Sequence, residues 1–162
     1  MTVKTVGLGA VAFLAAISMF VASSGHAYAH YVYELGMMYQ TSEDCVDGYS
    51  EVSHGNWNKG YSKTTVGAKF NYNGSFCAEA FYRPAGYLKN RARFQFQAAP
   101  GIANCRDTGD IYNTTKSAML TVTQHWSTNC GSWNYRTELT GLMLNGSWKG
   151  GVLSSGFHWL NG

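Results

Sequence analysis

The sequence predicts an all-β fold, a single antiparallel β-sandwich or barrel braced by two disulfides. Three observations point there. Apolar and polar residues alternate with a period of two in several segments, and no segment carries a long apolar stripe at helical spacing. Turn dipeptides rich in glycine separate those segments. Four cysteines, an even number, all follow a stretch that reads as an export leader. Composition agrees: the 162 residues are 45% hydrophobic and 15% aromatic but only 13% charged, with 19 Gly and 2 Pro. That aromatic content argues against disorder. Unperiodic glycine argues against collagen, low charge without heptads argues against a coiled coil, and the length suits one domain.

Residues 1–29 read as a secretory signal peptide. Lys4 supplies a positive start, Val6 to Ala22 is apolar, and Ala27-Tyr28-Ala29 places small residues at −3 and −1 of a cleavage site. The apolar run is short for a membrane span. The domain expected after the cut is 30–162, secreted, with no membrane span once the leader is gone.

Strands are expected in order at Tyr31–Tyr39, Tyr49–His54, Gly60–Tyr72, Ser75–Tyr82, Leu88–Gln97, Ile111–Asn113, Ala118–Trp126, Tyr135–Met143 and Val152–Leu160. In the third, Val66, Ala68, Phe70 and Tyr72 alternate with Thr65, Gly67, Lys69 and Asn71. In the fifth, Leu88, Asn90, Ala92, Phe94 and Phe96 alternate with Lys89, Arg91, Arg93, Gln95 and Gln97. Tyr135, Thr137, Leu139, Gly141 and Met143 repeat the pattern. Asp47-Gly48, Asn73-Gly74, Pro84-Ala85-Gly86, Asn145-Gly146 and Gly150-Gly151 are the expected turns. Cysteines paired in sequence order, Cys45–Cys77 and Cys105–Cys130, would close two local loops, each contributing about 2–4 kcal/mol.

Five acids, Glu34, Glu43, Asp44, Asp47 and Glu51, lie near the start of the domain, and five bases, Arg83, Lys89, Arg91, Arg93 and Arg106, lie in its middle. Two solvated faces, an internal pairing of the two groups, or complementarity to a partner all fit that distribution. The precursor's net charge of +3 is too small to predict nucleic-acid binding, and none is expected.

No catalytic motif stands out, neither a G-x-S-x-G elbow nor H-E-x-x-H, so the expectation is a non-enzyme without a cofactor. Glutamates 34, 51, 79 and 138 could supply a carboxylate pair, but any domain of this size offers as much. Cysteine spacings contain no C-x-x-C, which argues against thiolate zinc. Cleavage after Ala29 would expose His30 as the N-terminus, an amine and an imidazole together. That resembles the copper brace of lytic polysaccharide monooxygenases, with His54, His125 or His158 as a further ligand. Cleavage after Ala27 would remove it.

Aromatic residues are the distinctive resource: Trp57, Trp126, Trp133, Trp148, Trp159 and many tyrosines. Some must fill the core; rings left on a surface stack on sugars or anchor an interface. Tyr31, Tyr33 and Tyr39 are expected on one face of the first strand, suited to joining another protein's sheet edge. With Trp57 and Trp148 they form the candidate binding set. Asn73, Asn113 and Asn145 head glycosylation sequons, relevant in a eukaryotic source.

Gly60-Tyr61-Ser62-Lys63, Arg83-Pro84-Ala85-Gly86-Tyr87-Leu88-Lys89 and Gly146-Ser147-Trp148-Lys149-Gly150-Gly151 with Ser155-Gly156 resemble small exported proteins of filamentous soil bacteria. That group is associated with the adaptor subunits of umbrella toxin particles. The resemblance implies a non-catalytic β protein that links a toxin-bearing stalk to lectin subunits, its partners being other secreted proteins. A carbohydrate-binding module and the copper enzyme stand as alternatives.

Overall fold

The structure, a computed structural model, describes residues 31–54, 59–72, 76–127 and 130–160. Among these, eleven strands follow in chain order: β1 (Tyr31–Gln40), β2 (Asp44–His54), β3 (Lys59–Tyr72), β4 (Phe76–Ala80), β5 (Leu88–Ala98), β6 (Gly101–Asp107), β7 (Ile111–Tyr112), β8 (Met119–Ser127), β9 (Trp133–Asn145), β10 (Ser147–Ser154) and β11 (His158–Leu160). They make two antiparallel sheets packed as a sandwich, with β2 lying over β9 and β3 over β5 and β9. The first sheet has the order β1-β2-β3-β4, with β8 also on β3. The second has the order β10-β9-β5-β6, with β11 on β9 and β7 on β5. β3 is long enough to take two neighbours in succession, β8 along Lys59 to Gly67 and β4 from Lys69 onward.

Period-two alternation selects the buried face. Leu88, Asn90, Ala92 and Phe94 of β5 and Tyr135, Thr137, Leu139, Gly141 and Met143 of β9 are buried, while Lys89, Arg91, Arg93, Arg136, Glu138, Thr140 and Leu142 between them are half-buried. Burying each large apolar side chain contributes about 1.5–3 kcal/mol. The core divides into two clusters, Val46, Val66, Ala68, Leu88 and Met143 at one end and Val52, Phe94, Tyr135 and Leu160 at the other. Several buried polar groups are matched, although the Thr137 hydroxyl is not. The Asn90 amide donates to the carbonyls of Thr64 (3.1 Å) and Leu120 (3.0 Å), and its oxygen accepts from the Thr64 hydroxyl at 2.8 Å. The Ser50 hydroxyl donates to the Thr137 carbonyl at 2.7 Å. Such pairing offsets the desolvation that a lone buried amide would incur.

Both disulfides pair in sequence order as expected, and no cysteine is free. Cys45–Cys77 joins β2 to β4 within the first sheet, whereas Cys105–Cys130 ties β6 of the second sheet to the segment after β8 of the first. Two such bonds fit an oxidising compartment. Among the described residues no helix is long and apolar enough to cross a membrane. The leader, its cleavage site and His30 lie outside the described residues, as do the Asn73-Gly74 turn and Trp57.

Several local expectations change. Asp47 and Gly48 are not a turn but the middle of β2, which starts at Asp44. The glycine there serves close packing: a Cβ on Gly48 would lie 2.8 Å from Met38 Sδ, and one on Gly141 2.7 Å from Met38 Cε. Gly150 and Gly151 likewise lie inside β10, where Gly150 takes φ 147°. The single strand expected at Val152–Leu160 is two, β10 and β11. A bulge between Lys69 and Asn71 breaks the alternation of β3, so Phe70 is exposed and Asn71 buried. β6 carries no apolar alternation and was not expected; it is an edge strand following a cis Ala99–Pro100 bond. Pro84-Ala85-Gly86 and Asn145-Gly146 do turn the chain, with φ 81° at Gly86 and 70° at Gly146.

Candidate functional site

The outward face of the first sheet collects side chains from four strands by register. Tyr33, Glu51, Lys63 and Thr123 lie in one row across β1, β2, β3 and β8; Leu35, Tyr49, Thr65 and Thr121 form the next; Met37, Asp47, Gly67 and Met119 the third. β1 is an edge: among the described strands it pairs with β2 alone. Its outward row Tyr31, Tyr33, Leu35 and Met37 is exposed throughout, Leu35 at 64%. Natural edge strands are usually guarded by charge, Pro or distortion. Here the guards are few: a bulge at Met38 and Glu34, which has the inward parity yet remains exposed at the sandwich rim.

Tyr31 and Tyr33 are brought together as expected, with ring centroids 5.8 Å apart, and Tyr49 of β2 extends the row at 5.8 Å from Tyr33. Tyr39 leaves that face. The bulge turns it toward the Val46–Met143 cluster, and Lys149 Nζ lies 5.5 Å from its ring centroid. Trp148 stands on the opposite sheet, 40% exposed, beside Tyr112 at 6.0 Å with Lys89 Nζ 5.3 Å from its ring. The candidate set is therefore split between the two faces of the sandwich.

Sequence reasoning missed Tyr49, Leu35, Met37, Lys63 and Met119. Tyr49 continues the period-two series of Asp47 and Glu51, and reading Asp47-Gly48 as a turn hid it. Its phenol donates to the Glu51 carboxylate. Partial burial, followed by that bond, pushes the phenol well above the ordinary tyrosine range. Beside this row lies a groove of about 390 Å³, floored by Gly48, Gly67, Ala78 and Ala80 and walled by Leu35, Tyr49 and Met119.

The bases of β5 are occupied on their own sheet. Lys89 pairs with Asp110 at 3.0 Å, Arg91 with Asp107 at 2.5 Å, and Arg93 with Glu138 at 2.6 Å. The acids near the domain's start have other partners: Asp47 meets Lys69 at 2.5 Å, and Asp44 accepts from the Asn145 amide at 2.5 Å. A solvated, internally compensated face describes the β5 bases, whose ion pairs are with Asp107, Asp110 and Glu138 and not with the acids near the domain's start.

The bond from Arg91, outweighing partial burial, holds the Asp107 carboxyl down at about 2, against an ordinary 3.8. A carboxyl depressed on folding stabilises the native state above its unfolded value, and that support is lost as pH falls through the folded value. Stability measured by urea unfolding therefore declines on acidification from about pH 4 to about pH 2. Asp107→Asn lowers stability at neutral pH and flattens that decline.

His54 and His158 stack, with centroids 5.6 Å apart, while His125 sits edge-on to Tyr61 at 5.3 Å. Of the three histidines weighed as copper ligands, two are thus neighbours and His125 is not their companion. Among the described residues no group of three His, Cys, Asp or Glu side chains could hold a metal. Asn113 is buried, its amide donating to the Pro84 and Thr115 carbonyls at 2.8 Å each. No family model, no curated protein and no solved structure matches the chain.

Proposed function

We propose that this is a secreted, non-catalytic interaction subunit of an extracellular assembly, which docks an extended segment of another exported protein along β1. One observation supports the reading above the others: a ten-residue edge strand, paired on one side only among the described strands, with a continuous uncharged row of Tyr31, Tyr33, Leu35 and Met37 beside it. A partner strand added there gains main-chain hydrogen bonds from the edge and specificity from alternate side chains. Glu34 selects the partner. In an antiparallel pairing of two copies the Glu34 carboxylates approach each other, which disfavours self-association, whereas a strand carrying Lys or Arg at that level is favoured.

The test is capture of exported partners from culture supernatant by the tagged full-length protein, read by mass spectrometry. Recovery of a defined exported protein is expected, with at least about tenfold loss for Glu34→Lys, the factor that one reversed charge contact sets. Equal recovery by Glu34→Lys and by a Tyr33→Ser/Met37→Ser double variant would sink the edge reading.

The Tyr31–Tyr33–Tyr49 row favours one second reading, a carbohydrate-binding module whose rings stack on sugar faces. Its signature is glycan binding by the isolated domain that Tyr33→Ala abolishes while leaving the unfolding midpoint unchanged.

A further inference from the structure

We propose that the groove over Gly67 binds a small amphipathic carboxylate, an apolar chain lying on the glycine and alanine floor with its anionic head held by Lys63. The volume of about 390 Å³ falls within the range of small-ligand sites, roughly 300–1,000 Å³. It suits a chain of several carbons rather than a helix. Much of the floor and walls is apolar, with Gly67, Ala78 and Ala80 below and Leu35 and Met119 at the sides, the last 60% exposed; Asp47, Thr65 and Lys69 also line it.

Polar groups around the rim settle the sign of the ligand. Asp47 is occupied by Lys69 at 2.5 Å, and Glu51 accepts the Tyr49 phenol. The Thr65 and Thr121 hydroxyls bond one another at 2.9 Å. Lys63 is different. It lines the groove with its ammonium 5.7 Å from the Tyr49 ring centroid, and among the described residues it forms no ion pair. A cationic ligand would be repelled by the Lys63 ammonium while Asp47 is already neutralised by Lys69, and a neutral one would desolvate the ammonium without compensation. An anion satisfies it.

Gly67 makes the arrangement possible. A Cβ at this position would lie 2.0 Å from Asp47 Oδ1, so glycine leaves room for that carboxylate to lie over β3 and reach Lys69 on the same strand. With Asp47 drawn to Lys69, the ammonium of Lys63 is the one left for a ligand. The proposal does not depend on strand addition at β1; the two readings share Leu35 and no charged group.

The probe is octanoate, titrated into the full domain and followed by amide shifts in NMR, with octanol and octylamine as arms of equal chain length. Octanoate shifts resonances of Leu35, Tyr49, Gly67 and Met119 and binds at least about tenfold tighter than octanol, the factor for one charge-assisted contact. Octylamine does not bind. Lys63→Gln removes the preference for octanoate over octanol, Lys63→Arg retains it, and Ala78→Leu, at an exposed position, blocks both ligands. No shift with octanoate at millimolar concentration overturns the proposal, as does equal binding of octylamine or a preference that survives Lys63→Gln. A short peptide that occupies the groove where octanoate does not also overturns it. None of these results alters partner capture by Glu34, so failure here and failure of the edge reading are separately visible.

Discussion

Replacing Cys105 and Cys130 together by Ala lowers the unfolding free energy by at least about 3.5 kcal/mol, more than the same change at Cys45 and Cys77. Loop closure alone does not separate the two. Sequence separations of 25 and 32 give nearly equal entropic terms, about 3.5 kcal/mol each, because the dependence on length is logarithmic. Their surroundings do separate them. Cys45–Cys77 links strands that already share β3 as a hydrogen-bonded neighbour. Cys105–Cys130 ties edge strand β6 to the connection between β8 and β9, and both its cysteines pack against the cluster of Val52, Phe94, Tyr135 and Leu160. Removing it frees edge strand β6 from that connection; a packing loss attends both bonds, because Cys45 is itself fully buried, and it is the lost tether that sets the order. Urea unfolding of both double variants, read by tryptophan fluorescence and circular dichroism, checks the order. A Cys45/Cys77 variant as unstable as its counterpart would mean that tethering β6 to the β8–β9 connection adds nothing.

The sequence discloses the fold wherever burial follows a strict period of two, and loses it wherever backbone geometry intervenes. β5, β8 and β9 are legible because apolar residues dominate their inner faces and polar ones their outer faces, despite inward Asn90 and Thr137 and outward Met119. The bulges at Met38 and near Phe70 leave no mark in composition, so period-two alternation puts Tyr39 and Phe70 on the wrong faces. Glycine misled in a consistent way. Asp47-Gly48 and Gly150-Gly151 have turn chemistry, yet Gly48 exists to admit the Met38 side chain and Gly150 to approach the Gly141 carbonyl, where a Cβ would lie 2.1 Å away. Each missing side chain answers a residue on the neighbouring strand, which turn chemistry does not encode. The candidate site suffered most from this. Tyr31 and Tyr33 were found because they are neighbours on one strand; Tyr49, Lys63, Gly67 and Met119 join them only through inter-strand register.

Phe94→Ala costs about 3–5 kcal/mol, the range for emptying a buried aromatic site. Phe94 is fully buried, stacked on Tyr135 at 4.7 Å with 10° between planes, and its ring lies near Trp126 at 6.1 Å. Trp126 is itself fixed by donation from Nε1 to the Ser62 hydroxyl at 2.6 Å, so it cannot collapse freely into the space. On the facing sheet Gly60 completes the fit: a Cβ there would lie 2.3 Å from Phe94 Cζ. Gly60→Ala alone therefore overpacks the site and costs about 1–3 kcal/mol. The two changes oppose each other, since the methyl added at residue 60 enters space the ring has left. The double variant is accordingly less destabilised than the sum of the singles, by about 0.5–3 kcal/mol in a double-mutant cycle. Strict additivity would mean that the ring and Gly60 relax apart at no cost. Phe94 belongs to the core cluster remote from the groove, which lies above Val66 and Ala68. Octanoate affinity measured on folded Phe94→Ala therefore matches that of the parent, while the same protein unfolds at lower urea. A fall in both together would show that the two ends of the sandwich are mechanically coupled through the Asn90–Thr64 bonds between them.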